Sequence, residues 1–216
     1  RTTWNYALER ATELASGLRK PLLIVETLRS GVRWASDRHH AFVLQGMADN
    51  RATCEARNVR YYPFVELQPG DALELVNALA VHSCTVVTDD FPIKSVTTDA
   101  SQVARRVDVR MERVDSNGLL PMRAADRAFP TAYALRRFLQ RALPDHLLDT
   151  PKANPLARLS LPRLRGLPRE IKRRWPPASS KLLAGELAAL ARLPIDHDVS
   201  QVDTVGGPAV ARKALK

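Results

Sequence analysis

The sequence lacks any uncharged apolar run of about 18 residues, and its first residues lack the pattern of a secretory signal peptide. Cysteine is also scarce: only Cys54, in a predicted helix, and Cys84, at the start of a predicted strand, are present. Since these two positions have no metal-ligand spacing, we expect both to pack as small apolar side chains. Together these absences favour a soluble, cytoplasmic protein without a membrane-spanning segment.

Motifs for nucleotide binding and catalysis are missing as well. Neither a GxGxxG loop nor a Walker-type phosphate loop occurs in the sequence. The adjacent carboxylates of Asp89 and Asp90 follow a predicted strand, where aspartate commonly begins a turn. His39 and His40 lie in the first turns of a predicted helix, and no nearby serine or cysteine forms a nucleophile motif with them. We therefore predict no metal site and assign no catalytic residue.

Negative charge is in short supply, whereas arginine is abundant. The 33 lysines and arginines outnumber the 23 acidic residues, and the net charge of +10 favours an anionic partner. Eight basic residues and one acidic residue lie between Pro151 and Pro177. Four of these cations are candidate DNA contacts: Arg169, Lys172, Arg173 and Arg174. Placed cations bind nucleic-acid phosphates, but a solvated face that pairs with acidic residues of another domain explains the charge equally well.

Hydrophobic patterning alternates between the helical and the strand period along the first part of the chain. An amphipathic pattern over residues 4–18 precedes the continuous apolar run of residues 22–25, which is typical of a strand buried on both faces. Helix and strand patterns then alternate at residues 36–54, 59–67, 71–80, 84–88, 97–106 and 107–111. Short connections between such elements imply right-handed crossovers and a doubly wound, mainly parallel, Rossmann-like sheet.

The pattern changes near residue 125, which divides the chain into an α/β domain at residues 1–125 and a helical and irregular linker at residues 126–216. Six of the fifteen prolines lie between Pro151 and Pro177, and because proline interrupts regular structure we expect an extended basic segment there. A short helix is predicted around residues 182–190. The first helix pattern begins almost at residue 1 with no strand before it, so we expect the first strand of the sheet to be missing and the chain to be a fragment.

Three polar motifs follow predicted strands: Arg-Trp-Ala-Ser-Asp-Arg at residues 33–38, Asp-Asp-Phe-Pro at residues 89–92 and Val-Asp-Ser-Asn-Gly at residues 114–118. Ligands of open α/β sheets bind outside the carboxyl ends of the strands, so these motifs predict a ligand-binding edge. The candidate ligand contacts are Trp34, Arg38, Asp89, Asp90 and Phe91.

Taken with further motifs in the same order, these three resemble the class II cyclobutane pyrimidine dimer (deoxyribodipyrimidine) photolyases. The further motifs are Thr-Trp-Asn at residues 3–5, Tyr-Pro-Phe-Val-Glu at 62–66, Phe-Pro-Thr-Ala-Tyr at 129–133, Arg-Arg-Phe-Leu-Gln at 136–140 and Leu-Pro-Ile-Asp-His at 193–197. The resemblance covers nearly the whole chain and identifies it as an N-terminal α/β domain plus linker. Within that linker, His197 and its flanking aspartates are interpreted as structural rather than as a triad or metal site.

The resemblance implies a flavoprotein lyase that repairs UV-damaged DNA in the light, with FAD held by a C-terminal helical domain that this chain lacks. Photoexcited, reduced flavin donates the electron that opens the cyclobutane ring, and the electron then returns. The isolated chain is therefore expected to be inactive, and Trp4, Trp34 and Trp175 are not assigned to electron transfer. The family's α/β domain can also hold an antenna chromophore, a deazaflavin or a folate, for which the five sheet-edge residues are the candidate contacts.

Two functions of other classes stay open. A stand-alone, non-catalytic chromophore- or nucleotide-binding module, such as a photosensory protein, would absorb light at longer wavelengths than protein aromatic residues do. A basic nucleic-acid-binding protein would bind DNA with an affinity that falls steeply as salt rises.

Overall fold

The computed structural model describes residues 1–91 and 94–215, with side chains throughout except at residues 94–99, so that Pro92 of the second motif lies outside the described residues. Up to residue 114, helices and strands alternate in the predicted order, and the last of these strands begins at Arg110, three residues later than the predicted 107–111. The strands are β1 (Leu23–Leu28), β2 (Arg60–Val65), β3 (Thr85–Asp89) and β4 (Arg110–Val114). The α-helices are α1 (Tyr6–Gly17), α2 (Asp37–Glu55), α3 (Asp71–Ala80), α4 (Lys94–Arg106), α5 (Ala132–Ala142), α6 (Arg169–Arg174), α7 (Ser180–Leu183), α8 (Leu187–Leu190) and α9 (Pro208–Ala214). Short 3-10 helices span Met122–Ala124 and Leu143–His146.

The strands form two parallel pairs. β1 pairs with β2, with Leu23 opposite Arg60 and Leu28 opposite Val65, and β3 pairs with β4 in the same sense. Parallel pairing confirms the predicted α/β class and is compatible with a Rossmann-like arrangement. Within the described residues the two pairs form separate sheets, because no backbone ladder joins β1 to β3.

Both faces of the β1–β2 pair are covered, because successive strand residues point to opposite sides of a sheet. Tyr61 and Val65 of β2 are buried with α2 in one core cluster. Tyr62 and Phe64 are buried on the opposite face, with α3, in a second cluster. Helices on both faces are the arrangement of a doubly wound sheet.

Helix α2 begins where the sequence predicts. Ser36 Oγ accepts a hydrogen bond from the amide of His39 at 3.4 Å, which satisfies one of the otherwise unpaired amides of the first turn. Leu44 and Cys54 are completely buried along its inner face. Cys54 is buried in the core cluster and so packs as an apolar side chain, as expected, and this burial raises the pKa of its thiol to about 12. The same expectation is wrong for Cys84, which is exposed just before β3.

The region after β4 returns to pack against α2. Leu156, Leu183, Leu190 and Leu193 are buried in the cluster that contains residues of α2. The single helix predicted around residues 182–190 is instead two short helices, α7 and α8, separated by Gly185 with φ of +75°, a backbone conformation that favours glycine. The basic segment also differs from the expected extended chain, because α6 forms within it.

Helix α2 is the longest described helix, with 19 residues. It packs against β1 and β2 and also contacts α7, α8 and α9. Among the described residues, no helix combines the length and the apolar character needed to cross a bilayer.

Candidate sheet-edge site

Polar loops follow the carboxyl ends of β1, β3 and β4. Residues 29–36 join β1 to α2, the loop after β3 begins at Asp90, and the loop after β4 begins at Asp115. These loops contain the three polar motifs that predict a ligand-binding edge.

The direction of α1 shows that the three loops lie at one edge. The amide of Ala7 donates to Ser116 Oγ, beyond the end of β4, and Arg10 Nε donates to Glu112 Oε2 at 2.7 Å within β4. Helix α1 therefore runs antiparallel to β4. The chain then turns at residues 18–22 into β1, so that β1 and β4 start at the same end and their carboxyl ends share an edge.

Asp90 is a buried anchor of the loop after β3. Its carboxylate accepts a hydrogen bond from Arg123 Nε at 2.9 Å and lies 3.7 Å from a guanidinium nitrogen of Arg113. Its amide donates to the carbonyl of Val114 at 2.8 Å, and its carbonyl accepts from Asn117 Nδ2 at 2.6 Å. Asp90 therefore joins the loops after β3 and β4, and its carboxylate is already occupied by arginine.

Asp115 closes the loop after β4 in a similar way. Its carboxylate accepts hydrogen bonds from the amides of Met122 at 2.6 Å and Asn117 at 3.0 Å. Burial by itself would raise the pKa of Asp115, but these hydrogen bonds outweigh burial and lower it. The motif at residues 114–118 is thus explained by the geometry of a closed turn.

The loop after β1 meets the linker, 160 residues away along the chain. Ser36 and Asp196 form a parallel β-bridge. The amide of Asp37 donates to the carbonyl of Asp196 at 3.1 Å, and the amide of Asp196 donates to the carbonyl of Ala35 at 3.0 Å. His197 Nδ1 lies 2.9 Å from Asp37 Oδ1, and its Nε2 lies 3.1 Å from the carbonyl of Leu193. The motif at residues 33–38 and the motif at residues 193–197 are therefore in direct contact. We call this contact the joint between the β1 loop and the linker.

The joint has a pH dependence that can be measured. The hydrogen bond to Asp37 is the main cause of a raised pKa at His197. A raised folded-state pKa means that the contribution of His197 to stability is complete below its unfolded pKa, near 6.5, and is lost as pH rises through the higher folded value. Denaturant unfolding at a series of pH values should show this loss in the parent chain.

His197→Asn is expected to remove that loss while leaving the neighbouring backbone bridge in place. His146→Asn is the matched control, because His146 lies outside the joint, in the 3-10 helix after α5. A pH profile of stability that is identical in the parent chain and in H197N would contradict the assignment.

Comparison with known proteins shows what the chain is similar to. No family model matches the chain. The deoxyribodipyrimidine photo-lyase of Methanothermobacter thermautotrophicus is 28% identical over 125 residues, which are 58% of this chain and 27% of the relative. The deoxyribodipyrimidine photo-lyase of Arabidopsis thaliana is 29% identical over 156 residues, 70% of this chain and 31% of the relative. The chain is similar to deoxyribodipyrimidine photo-lyases.

The two photolyase matches support the family that the order of the motifs predicts. They do not distinguish class II from other photolyases. Each match spans less than a third of the relative's length. The activity of a whole photolyase therefore comes to this chain only as a proposal.

The five candidate antenna contacts fall into two groups at the photolyase-like edge. In the first group, Trp34 is 71% exposed, and the guanidinium of Arg33 lies 4.7 Å from the centre of its ring. Arg38 Nε donates to the carbonyl of Ser200 at 3.0 Å. In the other group, Asp89 ends β3, Asp90 pairs with arginine, and Phe91 is 40% exposed. None of these five described residues lines the large cavity between the strand pairs.

The four candidate DNA contacts all lie in the short helix α6. Ile171 and Trp175 are buried in the cluster with α3, and this burial turns the cations outward. Arg174 stacks over Trp175 at 4.5 Å from the ring centre. Within the described part of the chain, Arg169, Lys172 and Arg173 form no ion pair with a carboxylate. The structure thus brings the four cations together on the surface.

Sequence reasoning missed two carboxylates that form hydrogen bonds within the fold, the buried Glu66 and the half-buried Glu26. Glu66, only 3% exposed, accepts hydrogen bonds from the amides of Gly70 and Ala72 and so holds the start of α3. Glu26 in β1 accepts from Asn50 Nδ2 at 2.9 Å and from the hydroxyl of Tyr61. A glutamate within an otherwise mostly apolar strand is the signal that could have revealed Glu26, because a carboxylate that is partly removed from water needs partners.

Proposed function

We propose that this chain supplies the α/β scaffold, residues 1–125, and the linker, residues 126–216, of a class II-type DNA photolyase. The observation that carries the proposal is the similarity to two photo-lyases over 125 and 156 residues. The motif order and the parallel strand pairs support it. In this role the chain contributes to light-dependent splitting of cyclobutane pyrimidine dimers, and its two free cysteines suit a reducing, cytoplasmic location.

The described residues do not fit FAD. The large cavity is lined mostly by aliphatic side chains of α1, β1, α3 and β3, and no phosphate-binding loop opens into it. The carboxylates of Asp90 and Asp115 at the edge are occupied by arginines and by backbone amides respectively. FAD is therefore proposed to be held by polypeptide outside these residues, and no step of the reaction is assigned to this chain.

An antenna chromophore, a deazaflavin or a folate, is proposed to contact the sheet edge near Trp34 and Phe91. Both aromatic side chains are exposed, and flat ring systems stack on aromatic side chains. Arg38 and Asp90 have partners within the chain, so their proposed role is to position the two loops. Asp89 lies at the end of β3, where a ligand at this edge would reach it.

DNA phosphates are proposed to contact α6. The triple variant R169A/K172A/R173A keeps Arg174 on Trp175 and should weaken DNA binding and reduce the salt dependence, with the slope of log K falling by about 0.9 for each phosphate that is no longer neutralised. The matched control is R136A/R137A/R141A on exposed α5, which removes the same charge. Fluorescence anisotropy over a salt series measures both. Equal losses of affinity in the two variants would mean that the total charge, and not α6, determines binding.

A chimera tests the photolyase assignment. In it, this chain replaces the matched region of the Methanothermobacter photo-lyase, and the comparison protein has that region deleted. The chimera should remove pyrimidine dimers from irradiated DNA in the light and not in the dark, whereas the deletion should not. A folded chimera that retains flavin absorbance but repairs no dimers would overturn the proposal.

The isolated chain is the complementary sample. It should repair no dimers when light and reduced flavin are supplied, because its described residues do not fit the flavin. Repair by the chain alone would contradict this part of the proposal. A visible absorption band in the purified chain, together with a folded chimera that repairs no dimers, would instead favour a stand-alone chromophore-binding module.

A further inference from the structure

The cations of α6 continue into the chain that precedes this helix. We call residues 163–174 the basic strip; half of its residues are basic, and Glu170 is its single acidic residue. Its first part has no regular secondary structure, and its second part is α6. The six cations are all exposed: Arg163, Arg165, Arg169, Lys172, Arg173 and Arg174.

Apolar side chains between the cations hold the basic strip on the domain. Leu164 and Leu167 line the large cavity between the strand pairs. Leu167 also packs against the core cluster that contains α3, in which Ile171 and Trp175 are each 5% exposed. Because these four side chains are turned inward along the length of the strip, the cations between them remain at the surface.

The cations are available to an anion. Arg174 stacks over the ring of Trp175 at 4.5 Å from the ring centre. Within the described part of the chain, the other five cations of the strip form no ion pair with a carboxylate. The strip is fixed in place before any partner arrives, so binding does not have to order it, and the free energy of the phosphate contacts is not spent on that step.

The length of the strip favours a polymer of phosphates over a single phosphate group. Residues 163–169 span at most about 20 Å when extended, and α6 adds about 8 Å. Each strand of B-form DNA carries one phosphate per 3.4 Å of helix axis, so roughly eight base pairs reach along the whole strip. A mononucleotide or a free phosphate would meet only one or two of the cations.

The side chains of the strip also favour a duplex over single strands and over a lipid surface. Proteins that hold single strands stack the bases on exposed aromatic side chains, whereas the single aromatic residue in this part of the linker, Trp175, is buried and covered by Arg174. Membrane-binding segments present an apolar face to the lipid, whereas the leucines of the strip face the core. The remaining partner is the outer phosphate backbone of a double helix.

We propose that the basic strip binds the phosphate backbone of double-stranded DNA without reading base sequence or base damage, with Arg163 and Arg165 extending the contact beyond α6. Phosphate contacts position a protein on the duplex and carry no direct sequence information. The inference rests on the proposed DNA contact of α6 and adds the duplex specificity and two further contact residues. Recognition of damaged bases belongs to groups outside the strip.

The test measures binding of the full chain to an undamaged duplex of about 20 base pairs by fluorescence anisotropy over a salt series, in the dark. R163A/R165A should weaken binding by about tenfold or more near 50 mM salt and lower the slope of log K by about 1.8, which corresponds to two phosphates that are no longer neutralised. R163K/R165K should retain most of the affinity, because lysine supplies the same charge to a phosphate. R136A/R137A on exposed α5 is the matched control and should keep the parent slope.

An equal fall in slope in R136A/R137A would show that the total charge determines binding. A loss of affinity in R163K/R165K as large as in R163A/R165A would show that packing of the arginines matters and not their charge. Either result would overturn the proposal, and circular dichroism checks that all the variants are folded.

Two further DNA samples test the class of substrate. The loss of affinity caused by R163A/R165A should be the same for a UV-irradiated duplex as for the undamaged one, and the parent chain should bind the duplex more tightly than a single strand of equal length. A larger loss on irradiated DNA, or tighter binding of the single strand, would contradict the assignment.

The outcome for the strip is separable from the outcome for the photolyase assignment. A chimera that repairs no dimers leaves the binding results with undamaged duplex standing. A lowered slope in R169A/K172A/R173A beside an unchanged slope in R163A/R165A would overturn this inference and leave the proposed contact of α6 intact.

Discussion

Trp175→Ala is expected to lower the free energy of unfolding by about 3–5 kcal/mol, the usual cost of removing a buried large aromatic side chain. Trp175 is 5% exposed and packs in the cluster with Tyr62 and Ile171. The hydroxyl of Tyr62 also donates a buried hydrogen bond to the backbone carbonyl of Trp175 at 2.7 Å. Loss of the indole is expected to loosen this hydrogen bond. Urea unfolding followed by circular dichroism measures the change.

Trp34→Ala is the matched control, because Trp34 is 71% exposed. Its effect on unfolding should stay within about 0.5 kcal/mol. Trp175→Phe is a second comparison: within the described residues the indole nitrogen of Trp175 is buried without a hydrogen-bond partner, so phenylalanine keeps most packing and removes an unsatisfied donor. Equal effects of Trp175→Ala and Trp34→Ala would show that α6 is not held by the core.

Trp175→Ala is also expected to disturb the proposed DNA-binding surface on α6. Trp175 and Ile171 fix α6, whose cations are the candidate phosphate contacts. If phosphate binding needs placed cations, W175A should weaken DNA binding at low denaturant, where the rest of the chain is still folded. W34A should leave DNA binding unchanged.

The sequence predicts the alternating α/β part well, because periodicity is a local property. The run at residues 22–25 and the cap at Ser36 are recognisable without any tertiary contact. The basic segment is harder, since six prolines indicate an extended chain while the four-residue spacing of Ile171 and Trp175 indicates a helical turn. Burial of these two side chains against α3 favours the helix.

The candidate site is less predictable, because its contacts join distant parts of the chain. Asp90 could be read as a ligand contact, and nothing local indicates that Arg113 and Arg123 occupy its carboxylate. The pairing of Asp37 with His197 spans 160 residues. Motif order predicts that both segments belong to one family, but only the fold shows that they touch.

Gly206→Ala is expected to detach the end of the chain from α2. A β-carbon at Gly206 would lie 1.9 Å from the carbonyl oxygen of Phe42 and 2.7 Å from its carbonyl carbon, and helix backbone cannot move aside easily. Two hydrogen bonds hold the terminal segment on α2. The amide of Gly206 donates to the side chain of Gln45 at 2.7 Å, and the amide of Ala209 donates to the side chain of Asp49 at 2.8 Å. Because such hydrogen bonds contribute about 1 kcal/mol each, the segment should leave rather than accept the overlap.

The expected result is a drop in the free energy of unfolding of about 2 kcal/mol, with a loss of amide protection at Gly206 and Ala209. Protection in β1 and β2 should remain, because their core packs without α9. Gly166→Ala is the control, since a β-carbon at Gly166 meets no atom within 4 Å. Retained protection at Gly206 and Ala209 in G206A would mean that α2 and the terminal segment can separate slightly without losing their hydrogen bonds, and that the close backbone approach does not require glycine.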